Sequence, residues 1–327
     1  IPTLLYTAVQ PQTVCLATSS DDLLTWEKNP TPVIPGPPAE IADQTGGHFR
    51  DPFVWQDGDR WLMIIGSKLQ GQGGLILLYE SQNLRDWKYL HPILAGDIHQ
   101  TEPFWTGTMW ECPNLLDFGD KQVVIISAQA TPTDHLFAFY FTGEFEQDRF
   151  RIEQQHILVP TDYFYAPQVM RLEDGRLIMF GWVREGRNAQ AAMLAGWNGM
   201  MSLPLECSLL PNGKLAVVPA RELQTLRGNH RSFKNINPNT MLEGIEEQAC
   251  EIIVQFQPEP GSEFGLKVCC SPDGEEETRI IFRGDRVFID RTQASLSTDT
   301  NRNVYYQPVD IGAEVTVRVF LDHSIIE

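Results

Sequence analysis

Residues 48–66, which read HFRDPFVWQDGDRWLMIIG, contain the pattern from which the fold of this chain can be predicted. Within it, Trp61 to Ile65 form an apolar run with the composition of a β-strand, and Asp57-Gly58-Asp59 is a tight-turn signal. The stretch therefore predicts two antiparallel strands joined by a hairpin turn. The triplet Arg50-Asp51-Pro52 stands at the beginning of the first strand, where the proline restrains the backbone beside two charged side chains.

The same unit returns along the chain with a different acid at its beginning. Residues 111–120, which begin Glu-Cys-Pro and end in a Gly-Asp turn, follow residues 50–59 at a spacing of 61 residues. A second signature, Ser-x-Asp/Asn-Leu-x-x-Trp, ends at Trp26 and again at Trp87, which is the same spacing. A looser third copy occupies residues 165–182. Two separate signatures at one spacing indicate a structural repeat.

A repeating four-strand unit of this size is typical of a β-propeller blade, although it is slightly long. A solenoid is the alternative, but solenoid repeats are shorter and more regular. Closure of a propeller takes at least about four blades. The sequence contains three blade beginnings and the end of a preceding blade, so we expect at least one blade upstream of Ile1. The predicted fold class is all-β, with a propeller that is incomplete in this sequence.

The pattern changes in the last third of the chain. The repeat fades after Leu205, and we predict a propeller domain over residues 1–221 and a polar linker over 222–239. Residues 240–327 read as short alternating strands separated by Gly- and Pro-containing turns, which is typical of a β-sandwich. The final residues still have strand character, so we expect this domain to be truncated.

Composition excludes several classes of protein. With 42% hydrophobic and 21% charged residues the chain is globular, and a net charge of −18 argues against nucleic acid or an anionic membrane as a partner. No apolar run reaches the length of a membrane span. The six cysteines lack metal-binding spacing and read as free thiols, which favours a reducing compartment such as the cytoplasm. We predict no metal and no other cofactor.

Two acids at the beginnings of neighbouring blades suggest chemistry. The first strand of each blade lines the central channel of a propeller, so Asp51 and Glu111 are expected to meet in one pocket. Paired carboxylates are what glycoside hydrolysis requires, one of them protonating the leaving oxygen. Arg50 is expected to keep Asp51 ionised, and the apolar neighbours Trp110 and Cys112 to raise the pKa of Glu111. The alternatives are a structural Arg50–Asp51 salt bridge and a surface Glu111.

Several motifs together resemble one known family. The stretches 49–52 (FRDP) and 110–114 (WECPN) resemble the RDP and EC motifs of glycoside hydrolase family 32, which includes invertases, levanases, inulinases and sucrose-6-phosphate hydrolases. Residues 164–168 (FYAPQ), 195–204 (AGWNGMMSLP) and 320–327 (FLDHSIIE) are similar to the same family. The resemblance extends over essentially the whole chain. It implies a five-bladed propeller followed by a β-sandwich, and a retaining release of β-linked fructosyl units from sucrose or fructans.

The resemblance also implies roles for individual residues. Glu111 would be the general acid/base and Asp51 the transition-state stabiliser that binds fructosyl hydroxyls. Arg50 would support the fructose pocket and Cys112 would tune Glu111. Substrate contacts are further expected from the residues Trp105, Trp110 and Asp162. The family's nucleophile is an aspartate in a W-x-N-D-P-N-G-like stretch that this sequence lacks, so we expect residues 1–327 alone not to hydrolyse sugar.

Other functions remain open on the sequence alone. A fructosyltransferase of the same fold would use a sugar as acceptor in place of water, and a propeller that only binds fructan would need no catalytic acids. A five-bladed arabinan-cleaving enzyme fits less well, because its propeller needs neither this sandwich nor the Glu-Cys motif. His48, His99 and His135 are candidates for sugar contacts, although loop histidines are more often solvated. The eight tryptophans suit sugar stacking, but core packing is the more common use.

Overall fold

The structure, a computed structural model, describes residues 1–327 and consists almost entirely of antiparallel β-sheets. The first sheet has three strands in the order β1-β2-β3. Their bounds are Thr3–Ala8, Thr13–Thr18 and Glu27–Lys28. A single helical turn, α1 (Ala42–Thr45), ends at the left-handed Gly46 and leads into the second sheet.

The next two sheets have four strands each, in sequence order. The second sheet contains β4 (Phe49–Asp57), β5 (Arg60–Leu69), β6 (Gly73–Ser81) and β7 (Trp87–Ala95). The third contains β8 (Met109–Asp117), β9 (Gln122–Thr131), β10 (Asp134–Glu146) and β11 (Arg149–Ile157). The strands predicted from residues 48–66 and 111–126 are therefore confirmed, and each pair is joined by the expected Gly-Asp hairpin turn.

The fourth sheet has five strands. Its members are β12 (Phe164–Arg171), β13 (Leu177–Val183), β14 (Met200–Met201), β15 (Leu205–Leu209) and β16 (Leu215–Pro219). The main path runs β12-β13-β15-β16, and β14 pairs with β13 beside β15. The segment between β13 and β14 carries the helix α2 (Ala189–Ala195), whose N-cap is the Asn188 side chain.

These four sheets pack face to face in sequence order, as propeller blades do. Alternate residues of β5 enter different cores, because side chains on a strand alternate between its two faces. Met63 and Ile65 pack with Val14 of the first sheet, whereas Leu62 and Ile64 pack with the third sheet. The third and fourth sheets share a further core around Val123, Ile125, Phe164, Leu177 and Met179. Burial on both faces explains why the central strands read as continuous apolar runs.

The second unit includes a 3-10 helix at Arg221–Leu226. Its strands are β17 (Ala249–Phe256), β18 (Phe264–Val268), β19 (Thr278–Arg283), β20 (Arg286–Asp290), β21 (Val304–Pro308), β22 (Val315–Asp322) and β23 (Ile325–Ile326). They form two sheets, β17-β22-β23 and β18-β19-β20-β21. The core between them contains Ile280 and Phe282 from one sheet and Val319 from the other. This confirms the predicted sandwich.

The chain divides into two compact units, residues 1–184 with 199–218 and residues 185–198 with 219–327. The segment that carries α2 thus belongs to the second unit, where the Asn188 amide donates to the Asp299 side chain. The boundaries predicted at residues 221 and 239 stay a prediction. None of the helices combines the length and the apolar character needed to cross a membrane.

Candidate active site

The first strands of the last three propeller sheets share one irregularity. Each contains a β-bulge, at Arg50/Phe53 in β4, at Glu111/Asn114 in β8 and at Tyr165/Gln168 in β12. In every case the residue before a proline has a left-handed backbone, with φ of 63° at Asp51, 48° at Cys112 and 49° at Ala166. This conformation is uncommon outside glycine and tends to occur at functional sites. The bulges place the residues two before each proline in equivalent positions.

Those three equivalent residues, Arg50, Glu111 and Tyr165, contact one another. Arg50 donates to Glu111 Oε1 from Nε (3.0 Å) and from Nη2 (2.8 Å). The Tyr165 hydroxyl lies 2.6 Å from Glu111 Oε2, to which it can donate. The Arg50 and Glu111 side chains are only 13% and 12% exposed, so the pair is largely removed from solvent. Three successive sheets thus each contribute one side chain to a single cluster around the Glu111 carboxylate.

The Tyr165 hydroxyl has two possible acceptors. Besides Glu111 it lies 3.0 Å from the carbonyl oxygen of Ala128. A hydroxyl carries one hydrogen and two lone pairs, so it can donate to an ionised Glu111. When Glu111 is protonated, the same hydroxyl can accept from Glu111 Oε2 and donate to Ala128. Burial is the main cause of the raised pKa of Tyr165, which keeps the phenol neutral beside the carboxylate.

Asp51 lies beside this cluster but is held by different groups. Its Oδ2 accepts from the Cys112 backbone N–H (2.9 Å) and from the Cys112 thiol (3.5 Å). Burial raises the pKa of the Cys112 thiol well above its ordinary value, so the thiol stays protonated and remains a donor. The Asp51 backbone N–H donates to Thr7 Oγ1 at 2.8 Å. Asp51 is therefore hydrogen-bonded to Cys112, the residue that follows Glu111 in the chain. The tuning of Glu111 by Cys112 stays a prediction.

Arg50 favours the ionised form of Asp51, as expected, but burial outweighs its effect on the pKa. The nearest approach of the Arg50 guanidinium to Asp51 is 4.0 Å, whereas both Nε and Nη2 bind Glu111. Burial, the largest influence, raises the pKa of Asp51 despite the hydrogen bond from Cys112 and the charge of Arg50. The bulge explains the difference, because Arg50 and not Asp51 occupies the position equivalent to Glu111.

Three other residues were predicted to contact the substrate, and each has different surroundings in the structure. Trp110 is 1% exposed and packs against Phe139 in the core between the second and third sheets, and its Nε1 donates to the Thr106 carbonyl. It presents no ring face to a sugar, so the expected substrate contact is corrected. Trp105 is half-buried and donates to the Ile98 carbonyl. The Asp162 carbonyl accepts from Arg184, which contacts the Tyr165 ring.

The structure adds Tyr165, Trp182 and Arg184 to the site and places His135, a candidate sugar contact from the sequence, beside them. The ring of His135 in β10 packs edge-on against that of Tyr165 in β12, with 4.8 Å between ring centroids. Trp182 in β13, on the same sheet as Tyr165, also packs against His135. The Arg184 guanidinium lies over both Tyr165 and Trp182. Tyr165 could have been found, because it precedes Pro167 by two residues, as Arg50 and Glu111 precede their prolines. The sequence carried no comparable signal for Trp182 or Arg184.

Comparison with known proteins shows the family of the chain. A sequence model of the glycosyl hydrolases family 32 N-terminal domain matches residues 2–219, and that of the family's C-terminal domain matches residues 222–327. The chain belongs to glycosyl hydrolase family 32. The family 32 matches together cover nearly the whole chain, and the fold and the family resemblance predicted from the motifs are both confirmed.

Relatives within family 32 support the same placement. A sucrose-6-phosphate hydrolase of Zymomonas mobilis is 30% identical over 96% of this chain, and the chain spans 62% of that protein's length. A levanase of Bacillus subtilis is 28% identical over 97% of this chain and 49% of its own length. The solved structure of fructan 1-exohydrolase IIa from Cichorium intybus has a TM-score of 0.84 at 23% identity. Its match covers 99% of this chain and 72% of that one, and it shows the shared fold.

Proposed function

We propose that this chain provides the acid/base half of a retaining glycoside hydrolase that releases β-linked fructosyl units from sucrose or fructans. The proposal rests on family 32 membership and on the relatives named for sucrose 6-phosphate and levan hydrolysis. The observation that carries it is the environment of Glu111, which suits both protonation states of one carboxyl group. An acid/base catalyst needs this, because it gives up a proton in one step and recovers it in the next.

The two oxygens of Glu111 would have different tasks. Oε1 accepts two hydrogen bonds from the Arg50 guanidinium, so the proton belongs on Oε2. Tyr165 lies 2.6 Å from Oε2 and can donate to it or accept from it. In this proposal Glu111 Oε2 protonates the leaving oxygen of the fructoside and later removes a proton from the incoming water. Arg50 then keeps the carboxylate oriented through both steps.

Asp51 would stabilise the transition state. Its carboxylate accepts a hydrogen bond from Cys112, the residue that follows Glu111, and a negative charge there would favour the oxocarbenium-like transition state. We also propose that Asp51 accepts hydrogen bonds from fructosyl hydroxyls and that Trp105 and Asp162 contact the substrate. We assign no nucleophile among residues 1–327. The proposal covers sucrose, phosphorylated sucrose and fructans alike.

The first test replaces Glu111 in the protein expressed from its full reading frame. Glu111→Gln should lower kcat for sucrose, sucrose 6-phosphate or levan by about 10²–10⁴-fold, since a neutral amide cannot transfer the proton. The folded state should persist, because an amide oxygen still accepts from Arg50. Hydrolysis is followed by fructose release, and the anomer first formed, read by proton NMR, tests retention. Glu146→Gln, an exposed acid at the end of β10, is the matched control.

Two results would contradict the proposal. Turnover of Glu111→Gln equal to that of Glu146→Gln would exclude Glu111 as the acid/base. Release of the opposite anomer would exclude a retaining mechanism, in which two inversions restore the starting configuration. A panel of sucrose, sucrose 6-phosphate, inulin and levan in the same assay ranks the substrates through kcat/KM.

A further inference from the structure

Two residues outside the acid pair hold the far side of the Arg50 guanidinium. His48 Nδ1 lies 2.8 Å from Arg50 Nη1, and Gln12 Oε1 lies 3.4 Å from the same nitrogen. Gln12 Oε1 also accepts from the Phe49 backbone N–H at 2.7 Å, which fixes the amide orientation. The His48 carbonyl in turn accepts from the Ser67 hydroxyl at 2.6 Å. The Gln12 amide and the His48 backbone are thus anchored independently of Arg50.

The hydrogens of Arg50 can be counted completely. An arginine side chain has five N–H donors and no acceptor. Nε and Nη2 donate to Glu111, Nη2 also reaches Gln129 Oε1 at 3.3 Å, and Nη1 reaches Gln12 and His48. The five N–H donors therefore make five contacts with four acceptor atoms, since Glu111 Oε1 accepts two of them. Since the contact to His48 has its hydrogen on Arg50, His48 Nδ1 must carry a lone pair, and the neutral ring must hold its hydrogen on Nε2.

We propose that His48 is a positioning residue, which as a neutral Nδ1 acceptor fixes the Arg50 guanidinium so that Nε and Nη2 face Glu111 Oε1. Of the residues that accept from Arg50, only His48 and Glu111 can change their charge. Protonation of His48 would remove one acceptor and place a second cation 2.8 Å from Arg50. Arg50 would then lose its restraint on the side away from Glu111. His48 thereby links the orientation of the acid/base group to pH.

The surroundings of His48 favour its neutral form. Burial is the largest influence, Lys68 of β5 and Arg50 of β4 add positive charge nearby, and Glu111 of β8 opposes them. Together they lower the pKa of His48 to about 4. His48 also lines an open cleft with Gln12, so solvent can exchange protons with the ring.

Two substitutions distinguish the role of His48 as a hydrogen-bond acceptor from the role of its side-chain volume. In His48→Asn the amide oxygen stands two bonds from Cβ, as Nδ1 does, and it accepts without titrating. His48→Leu keeps a similar volume but offers no acceptor. The catalytic meaning of His48 rests on the function proposed for Glu111, whereas its hydrogen bond can be tested without turnover. The primary measurements therefore use NMR on residues 1–327.

The expected NMR result is a neutral His48 at pH 7 with its hydrogen on Nε2, seen in long-range proton–nitrogen spectra. Hydrogen exchange of the Arg50 guanidinium should be at least about tenfold faster in His48→Leu, because a hydrogen bond to a charged group is lost. In His48→Asn it should stay within about threefold of the unsubstituted chain. A hydrogen on Nδ1, or equal exchange in the two variants, would overturn the proposal.

Activity adds a second readout in the protein expressed from its full reading frame. His48→Leu should lower kcat about tenfold with KM nearly unchanged, and His48→Asn should restore kcat to within about threefold. Equal losses in both variants would show that His48 acts only through bulk and would overturn the positioning role. Failure of the function itself would be recognised separately, since Glu111→Gln would then leave turnover unchanged whatever NMR reports for His48.

Discussion

At the scale of single residues, the site combines groups whose protonation is set by burial with groups that need a particular charge to act. Asp51 is the clearest case, because burial raises its pKa while the proposed role requires the carboxylate form. Its left-handed backbone, with φ of 63°, adds a conformational cost. Because of its raised pKa and its left-handed backbone, the ionised Asp51 is expected to lower the stability of the fold.

The variant Asp51→Asn tests whether Asp51 lowers the stability of the fold while it supports activity. Asparagine adopts the left-handed conformation more readily than most residues and keeps an oxygen that can accept from the Cys112 N–H. A raised pKa means that the unsubstituted protein loses stability as pH rises through it, and the amide removes this loss. We therefore expect unfolding free energy at pH 7 to equal or exceed that of the unsubstituted protein, while kcat falls about 10²–10³-fold.

Urea denaturation at pH 4 and pH 7 measures the stability difference, which should favour the variant more at pH 7. Asp51→Ala serves as the comparison, because it loses the acceptor for Cys112 and keeps an unfavourable left-handed backbone. The stability of Asp51→Asn relative to the unsubstituted protein should rise from pH 4 to pH 7. A clear fall over this range would contradict a raised pKa of Asp51.

At the scale of elements, the repeat predicted the strands well and the contacts between blades less well. The 61-residue spacing depends on strand length and turn position, which are local properties. The pairing of Arg50 with Glu111 depends on which side chain each bulge turns toward the neighbouring sheet, and no local pattern encodes that. Trp110 shows the same limit: its neighbours in sequence place it beside Glu111, but alternation along β8 turns its indole into the core.

The position of Trp110 is enforced by glycines of the neighbouring sheet. A Cβ on Gly74 of β6 would lie 2.1 Å from the indole Cγ, and one on Gly96 would lie 2.8 Å from Cζ2. The indole cannot move away easily, since its Nε1 donates to the Thr106 carbonyl at 2.9 Å. This contact between the second and third sheets is therefore sensitive to a single added methyl group.

Gly74→Ala should lower the free energy of unfolding by about 2–3 kcal/mol through overpacking against Trp110. Gly228→Ala is the control, because a Cβ there meets no atom within 4 Å. Chemical denaturation gives both values. Trp110→Phe should recover part of the loss in the double variant, which isolates the contact between the two side chains. Equal stability of the two alanine variants would show that the sheets can separate to admit the methyl group.

At the scale of the whole molecule, most tryptophan lies in one unit. Seven of the eight tryptophans belong to residues 1–184 and 199–218, and only Trp197 belongs to the other unit. Tryptophan fluorescence therefore follows unfolding of the propeller sheets almost selectively. This matters because a chain of two units need not unfold in one step, and a single free energy would then have no clear meaning.

The pH dependence of propeller stability should reflect three partly buried histidines. His48, His135 and His156 all belong to this unit, and burial is the first cause of the lowered pKa of each. A histidine with a lowered pKa binds its proton in the unfolded chain first, so its contribution to stability is complete above about pH 6.5 and is lost as pH falls. Asp51 has the opposite sign, because its raised pKa favours the fold at low pH.

Replacing His48 should remove the largest part of this slope. With a folded pKa of about 4, His48 loses its contribution between about pH 6.5 and 4 and changes little below that. Because the ring is only half-buried, solvent screening reduces the loss to about 1–2 kcal/mol. Urea unfolding followed by tryptophan fluorescence at pH 7, 5.5 and 4 should therefore show a flatter profile for His48→Asn. His99→Asn, an exposed loop position, should leave the profile unchanged, and identical slopes for the two variants would exclude a buried neutral His48.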